Sequence, residues 1–199
     1  RRDAAYALGI VLTPPVDTRV ADQLMYSLAD PDGSVRLAAA RALGRLRATT
    51  AGDQLIGRIV DTDLPVRLAA MRAVGEIRDA RALVALHHQL EYYRGGIAGR
   101  TALEALARIA HKSTANLFAQ EKFSKSEAHR RSAYEGIARI GGIPAADAIA
   151  MEQLLTAERD ESVVAAMAFA LAAGGRPYVE RVVLALADND TANQVMNYV

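Results

Sequence analysis

An internal repeat constrains the fold of this chain more than any other feature of its sequence. Residues 30–47 read DPDGSVRLAAARALGRLR, and residues 61–78 read DTDLPVRLAAMRAVGEIR. The two segments match at most positions, with Leu43 of the first and Val74 of the second 31 residues apart. A unit of this size cannot bury its apolar side alone, so neighbouring units must stack on one another. The sequence therefore predicts a solenoid of repeated helical units.

Weaker copies of the same motif extend the repeat over the whole chain. Positions equivalent to Leu43 carry an aliphatic residue in six copies, namely Leu8, Leu43, Val74, Leu106, Ile137 and Leu171. The intervals between these positions run from 31 to 35 residues, so insertions fall between units and not within the motif. We expect about six helical hairpins in a single domain over residues 1–199. Because the chain starts inside a repeat, we also expect a fragment of a longer protein with truncated end repeats.

Each unit is predicted to contain two helices. The first helices are expected at residues 16–28, 52–60, 80–93, 114–123, 144–158 and 177–187. The second helices are expected at residues 1–11, 34–47, 65–78, 97–111, 127–140, 161–173 and 191–199. Thr13-Pro14-Pro15 ends the helix at 1–11, Ser34 is expected to cap its helix, and prolines 65, 144 and 177 mark helix starts. No strand-like alternation competes with these helices. The predicted fold is all-α, a right-handed α-α superhelix.

The second helix of a unit is predicted to bury one side. At about 100° per residue, the buried side carries Val35, Ala38, Ala39, Ala42, Leu43 and Leu46. Leu37, Ala40, Arg41 and Gly44 lie opposite. The position of Gly44 is small in every copy (Gly9, Gly44, Gly75, Ala107, Ala138 and Ala172). Small residues at one repeated position predict closely packed neighbouring helices.

Composition excludes several classes of site. The chain has 199 residues, no cysteine and a net charge of +1. It therefore has no disulfide or thiolate site, and its overall charge makes no case for nucleic acid or an anionic membrane. No apolar run approaches the roughly 18 residues of a membrane span, and no signal peptide is visible. A cysteine-free chain fits both an exported and a cytosolic bacterial protein, so the compartment stays open.

The repeat motif resembles a known family. The pattern Asp-x-x-Val-Arg-x-x-Ala-Ala-x-Ala-Leu-Gly is similar to HEAT repeats of the phycobilisome-lyase-like subtype. It is carried by Asp32, Val35, Arg36, Ala39, Leu43 and Gly44, and again by Asp63, Val66, Arg67, Ala70, Val74 and Gly75. The resemblance implies a HEAT-like solenoid whose second helices line the concave side. It also implies that Asp32, Arg36, Asp63 and Arg67 form a structural ladder between repeats rather than acid/base pairs.

Functions within this family differ, and the residues discriminate among them. HEAT-like relatives include scaffolds, bilin lyases, an iron hydroxylase and DNA-repair glycosylases. None of the four histidines, His87, His88, His111 and His129, precedes a glutamate as in the iron-binding relatives, and no phosphate-binding loop or nucleophile motif occurs. We therefore expect no metal, no cofactor and no catalytic residue. A bilin lyase rests on the resemblance alone, and DNA binding is disfavoured because lysine is scarce and acids interrupt the basic stripe.

Arginine is concentrated on the second helices. These segments carry 14 arginines against 6 acids, although the whole chain is almost neutral. The predicted contact residues on the concave side are Tyr6, Arg41, Arg45, Arg72, Arg108, Tyr134, Arg139 and Phe169. Arginine beside aromatic residues is typical of protein-binding hot spots, whereas a solvated surface is the alternative interpretation. The sequence favours a non-catalytic scaffold for a protein or peptide of acidic character. Residues 112–125, with Lys112, Lys122, Lys125, Phe118 and Phe123, are interpreted as a solvated loop, with a separate contact patch as the alternative.

Overall fold

A computed structural model describes residues 1–11 and 17–175 of the chain, and this part is helical throughout. Eleven α-helices and no strand occur within these ranges. The helices are α1 Arg2–Val11, α2 Thr18–Ser27, α3 Gly33–Arg45, α4 Gly52–Arg58, α5 Leu64–Ile77, α6 Leu83–Tyr92, α7 Ile97–Ile109, α8 Ala115–Glu121, α9 Glu127–Arg139, α10 Ala145–Ala157 and α11 Glu161–Ala173. Short 3-10 helices at Thr49–Ala51, Ala80–Ala82 and Lys112–Thr114 precede α4, α6 and α8. The all-α prediction is confirmed.

Some predicted features lie outside the described residues. These are the break at 13–15, the start of the helix predicted from residue 16, and both helices predicted beyond residue 176, including the one that Pro177 would begin. Elsewhere the predicted and observed helices agree within a few residues. The largest difference is at the start of α6, predicted at residue 80 but observed at Leu83, because Ala80–Ala82 form a 3-10 helix. The helix α7 ends two residues early, because Ala110 has a φ of +53° and takes the chain out of the helix. In the described ranges, no helix combines the length and the apolar character needed to cross a membrane.

The helices pack in two compact units that divide between Ile109 and Ala110. In the first unit, the second helices of successive repeats stack in the order α1, α3, α5 and α7, and α2, α4 and α6 pack beside α3, α5 and α7. In the second unit, α9 packs on α11, with α8 beside α9 and α10 beside α11. The expectation of one repeat domain over residues 1–199 stays a prediction.

The core forms where the second helices meet. The six residues of α3 that were predicted to be buried are all at most 6% exposed. Ala40 and Gly44 were placed on the opposite side, yet both are buried as well. The physical reason is that α3 has a second helix on each flank, α1 on one and α5 on the other. Only a narrow strip of each second helix in this unit is left for solvent.

Small residues allow this close stacking. A methyl group added at Gly44 would lie 2.8 Å from the Cα atom of Ala73 on the next helix. The same substitution at Gly9 would lie 2.8 Å from the Cα atom of Ala42. Both distances are shorter than van der Waals contact, so the helices would have to move apart. The predicted crowding at this repeated position is therefore present in the first unit.

Candidate protein-binding surface

The solvent-facing strip of the first unit is formed by two positions on each second helix. These positions are four residues apart and so point the same way. They carry Tyr6 and Ile10 on α1, Arg41 and Arg45 on α3, Arg72 and Glu76 on α5, and Glu104 and Arg108 on α7. We call these eight residues the arginine face. Because the four helices stack side by side, the face is a pair of rows that runs across them.

Three arginines of this face are open to a partner. Arg41, Arg45 and Arg72 are exposed, and none of them forms an ion pair with another residue in the described part of the chain. Tyr6 is 50% exposed and Ile10 is 54% exposed at one end of the face. We call the residues that one helix contributes to this face a step. The apolar step on α1, Tyr6 and Ile10, thus borders the cationic step on α3, Arg41 and Arg45. Surfaces of this composition are typical of protein-binding sites.

Glu76 lies among the arginines, although it was not among the predicted contact residues. Its Oε1 atom is 3.6 Å from Nη1 of Arg108, and its side chain leans over Gly44 of the preceding repeat. Burial raises the pKa of the Glu76 carboxyl, and the positive charges of Arg108, Arg45 and Arg72 partly offset this effect. The face therefore contains two acids, Glu76 and Glu104, and Glu76 lies close enough to Arg108, Arg45 and Arg72 to compete for them. From the sequence, Glu76 could have been noticed as a carboxylate two residues after Val74, the residue equivalent to Leu43.

The predicted contact residues of the second unit have other surroundings. Tyr134 is only 2% exposed and belongs to the core between α9 and α11. It is therefore not a surface anchor, contrary to the prediction, because the turn of α9 that carries it is covered by α11. Burial, with the charge of Glu158 nearby, raises the pKa of Tyr134 to about 12. Phe169 is half-buried against the same core, and Arg139 donates to Oε2 of Glu135 at 3.3 Å. A contact role for Phe169 and Arg139 stays a prediction.

Arg36 links one repeat to the next. Its Nε and Nη2 atoms donate to the two carboxylate oxygens of Asp61 at 3.0 and 2.8 Å, and Nη2 also donates to Asp63 at 2.8 Å. Its Nη1 atom donates to the carbonyl oxygens of Asp30 and Pro31, which belong to the turn of its own repeat. The Arg36 side chain thus holds two consecutive turns together. Asp32 takes no part in this contact and instead caps α3, accepting from the Ser34 amide at 2.8 Å.

The cap at Asp32 corrects the sequence analysis twice. Ser34 was expected to cap this helix, but Ser34 is the donor and Asp32 the acceptor. Asp32 was expected to belong to the ladder, but the carboxylates that receive Arg36 come from the following repeat. In the turn before α3 the two aspartates have different roles, because Asp30 pairs with Arg1 at 2.7 Å and Asp32 caps the helix. In the turn before α5, Asp61 and Asp63 both accept from Arg36.

Equivalent contacts recur, with changes that follow the sequence. In the second unit Arg130 donates to both oxygens of Glu158 at 2.8 and 3.0 Å and to the carbonyl oxygen of Ser124. In the first unit the guanidinium of Arg67 lies 5.7 Å from the ring centroid of Tyr93, which stands at the position of Asp61 in the preceding turn. Arg67 keeps its bond to the carbonyl of Asp61 at 2.9 Å. The ladder residues are thus engaged with one another and with turns, which fits a structural role.

Electrostatics support that role at Asp61. Burial alone would raise the pKa of its carboxyl, but hydrogen bonds from Arg36, the Asp63 amide and Arg58 outweigh it and lower the pKa to about 2. Asp61 is 7% exposed and stays ionised at neutral pH. A carboxylate with so low a pKa is a poor general base near pH 7.

The segment around Lys122 forms a second surface feature. Phe118 is fully buried and so belongs to the core, whereas Phe123 is 66% exposed with the Lys122 ammonium 5.0 Å from its ring centroid. A groove of about 500 Å³ lies beside them and is also lined by Leu154 and Arg159. Charges of both signs line this groove, so it has no clear preference for one class of ligand.

One buried pair involves a histidine. Nδ1 of His129 is 2.8 Å from Oε2 of Glu121, and both side chains are about 4% exposed. This pair joins α8 to α9 inside the second unit. No group of three or more potential metal ligands occurs among residues 1–11 and 17–175. The pair accordingly packs two helices together, and no further ligand joins it there.

Comparison with known proteins agrees with this architecture. Residues 21–92 match the family model of HEAT repeats. No curated protein matches the sequence. Among solved structures, an engineered protein is 21% identical with a TM-score of 0.65, covering 87% of this chain and 90% of its own.

Two further structures carry informative descriptions. The complex of CpcE and CpcF of phycocyanin lyase from Nostoc sp. is 22% identical with a TM-score of 0.64, covering 100% of this chain and 87% of that chain. A designed armadillo repeat protein in complex with the peptide (KR)4 is 16% identical with a TM-score of 0.62, covering 87% and 91%. Identities this low establish the solenoid fold alone, and the likeness to the lyase is consistent with the phycobilisome-lyase-like subtype. The chain thus matches HEAT repeats over residues 21–92 and has the all-α solenoid fold that armadillo repeat structures share.

Proposed function

We propose that this protein is a non-catalytic scaffold that binds an acidic segment of a partner protein on the arginine face. The observation that carries the proposal is the exposure of Arg41, Arg45 and Arg72 on two adjacent helices without ion pairs in the described part of the chain. A solvated surface would need only occasional charges, whereas this one gathers three exposed arginines beside an exposed aromatic residue, Tyr6. Guanidinium groups pair with carboxylates through two parallel hydrogen bonds, which makes acidic segments the matching partner.

The solved relatives support binding in general. The designed armadillo protein holds a basic peptide, and CpcE and CpcF form a complex with each other. The proposed partner of this chain has the opposite charge to the (KR)4 peptide because the exposed ions on α3 are cationic. Affinity would then come from carboxylates on the arginines and from apolar contact with Tyr6. Rim charges of this kind speed association and weaken in salt, so binding should fall as ionic strength rises.

The test is direct binding of a fluorescein-labelled glutamate-rich peptide, followed by fluorescence anisotropy. The variant Arg41→Glu/Arg72→Glu should lose at least tenfold in affinity. A matched control, Arg19→Glu/Arg81→Glu, changes the net charge equally at two exposed arginines of the same unit that lie outside the second helices, and it should bind like the wild type. Circular dichroism checks that both variants keep the helical fold. Equal losses in both variants, or no binding by the wild type, would refute the proposal.

A lyase subunit is the second candidate. The likeness to the phycocyanin lyase complex, which extends over the whole of this chain, favours it. A lyase of that kind would transfer a linear tetrapyrrole to an acceptor protein, so the purified chain should bind a bilin and change its visible absorption. An unchanged bilin spectrum at saturating protein would remove this candidate.

A further inference from the structure

We propose that the arginine face recognises the order of residues in its partner, which must present an apolar residue at one end and two acidic residues after it. This inference rests on the proposed function and names the class of partner more narrowly. One row of the face reads Tyr6 on α1, Arg41 on α3, Arg72 on α5 and Glu104 on α7, and the proposed segment crosses the first three of these helices. A complementary extended segment therefore reads apolar, acidic, acidic along its length.

The order of helices fixes the order of the steps. Close packing of α1 on α3 and of α3 on α5 is enforced by Gly9 against Ala42 and by Gly44 against Ala73. Each step therefore has fixed neighbours, and the apolar step cannot exchange places with a cationic one. Both residues of the apolar step, Tyr6 and Ile10, are about half-exposed, so they can cover an apolar side chain. Neither side chain carries a positive charge that could pair with a carboxylate as Arg41 can.

The spacing of the steps suits an extended chain. Closely packed helices are about 8–10 Å apart, and alternate residues of an extended chain are about 6.6 Å apart on the same side. Exposed arginine side chains are long and flexible enough to span the difference. The partner sequence is therefore expected to place its three recognised residues at alternate positions, one for each helix that it crosses.

The chemistry favours a polypeptide over nucleic acid. A nucleic-acid backbone presents a uniform series of phosphates, so it would engage the arginines but gain nothing from an apolar step at Ile10. The internal acid Glu76 also stands in the second row, next to Arg45 and Arg72, where it would repel a continuous run of phosphates. A peptide can avoid this repulsion by placing its acids opposite Arg41 and Arg72 alone, so that none lies opposite Glu76 in the other row or Glu104 on α7.

Three labelled peptides of identical composition test the order. Their central segments are Leu-Ser-Glu-Ser-Glu, its reverse Glu-Ser-Glu-Ser-Leu, and the permuted Glu-Ser-Leu-Ser-Glu. At least one of the first two should bind five-fold or more tightly than the permuted peptide, which places leucine opposite Arg41. The variant Tyr6→Ala should abolish this difference, whereas Tyr26→Ala, which removes a 78% exposed tyrosine from α2, should preserve it.

The outcomes separate the two proposals. Equal binding of all three peptides, each weakened by Arg41→Glu/Arg72→Glu, would overturn the recognition of order and leave the acidic-segment scaffold intact. No binding of any of the three would overturn both. Tighter binding of a single-stranded oligonucleotide of equal charge, also lost in Arg41→Glu/Arg72→Glu, would replace the peptide with nucleic acid as the partner and so contradict this inference.

Discussion

Arg36 and Asp61 form a buried pair with two hydrogen bonds between consecutive repeats, at 3.0 and 2.8 Å. The side chains are 10% and 2% exposed. Removal of one partner leaves the other charge buried and unpaired, so Arg36→Ala should lower the free energy of unfolding by about 3 kcal/mol. Urea unfolding followed by circular dichroism measures this change.

A surface arginine provides the control for that experiment. Arg81 pairs with Asp53 and Asp79, but its side chain is 57% exposed. Exposed ion pairs contribute about 0.2–1 kcal/mol, so Arg81→Ala should cost far less than Arg36→Ala. Similar losses for the two variants would show that the Arg36 contact does not hold the repeats together.

The low pKa of Asp61 predicts how stability depends on pH. A carboxyl whose pKa is lowered by folding stabilises the folded state above its unfolded pKa of about 4 and loses that contribution as the pH falls. With a folded pKa of about 2, the loss occurs between about pH 4 and pH 2. The stability difference between wild type and Asp61→Asn should therefore shrink over this range. A difference that stays constant from pH 5 to pH 2.5 would contradict the assignment.

Gly44 and Gly57 should respond in opposite ways to alanine. A methyl group at Gly44 meets Ala73 on the next helix, whereas one at Gly57 on α4 meets no other atom within 4 Å. Gly44→Ala should cost about 1–3 kcal/mol through steric overlap, and Gly57→Ala should stabilise by up to about 1 kcal/mol because alanine favours the helix. Thermal unfolding of the two variants checks both signs. A stabilised Gly44→Ala would mean that the stack has room at this position.

Glu76 should weaken binding of acidic peptides in the wild type. It sits 3.6 Å from Arg108 and within the field of Arg45 and Arg72, so it occupies charges that a partner could use. Glu76→Gln keeps the shape and removes the charge, and affinity for the glutamate-rich peptide should rise about three- to ten-fold. Glu91→Gln, at an exposed position on α6, is the matched control and should have no effect. A fall in affinity for Glu76→Gln would show that Glu76 orients the arginines instead.

The sequence predicted most of the fold because each repeat carries its own helical pattern. Apolar residues recur at helical spacing and prolines or aspartates begin the helices, so element type and order follow from local signals. The burial of Ala40 could not be predicted from the pattern of its own helix. Its burial depends on helices on both flanks, and an angular plot of one isolated helix divides the residues into two sides only.

The site could be predicted only in part. Arg41 and Arg72 could be placed together because they occupy equivalent positions in successive repeats, and Arg45 follows Arg41 by one helical turn. Of the two carboxylates that accept from Arg36, Asp63 was among the residues of the predicted ladder, but Asp61 was not, since it lies 25 residues away and is reached only through the geometry of the next turn. Tyr134 likewise follows the pattern of a surface position, but the packing of α11 on α9 decides its burial.

The central claim is that acidic segments bind through the arginine face. It is tested most directly by asking whether Arg41→Glu/Arg72→Glu reverses the preference of the protein for a negatively charged peptide. The dissociation constants of a glutamate-rich peptide and of its lysine-substituted counterpart would be measured for the wild type and for Arg41→Glu/Arg72→Glu. The account predicts that the wild type prefers the glutamate peptide at least tenfold and that the variant loses or inverts this preference. An unchanged preference in a folded variant would show that acidic segments do not bind through the arginine face.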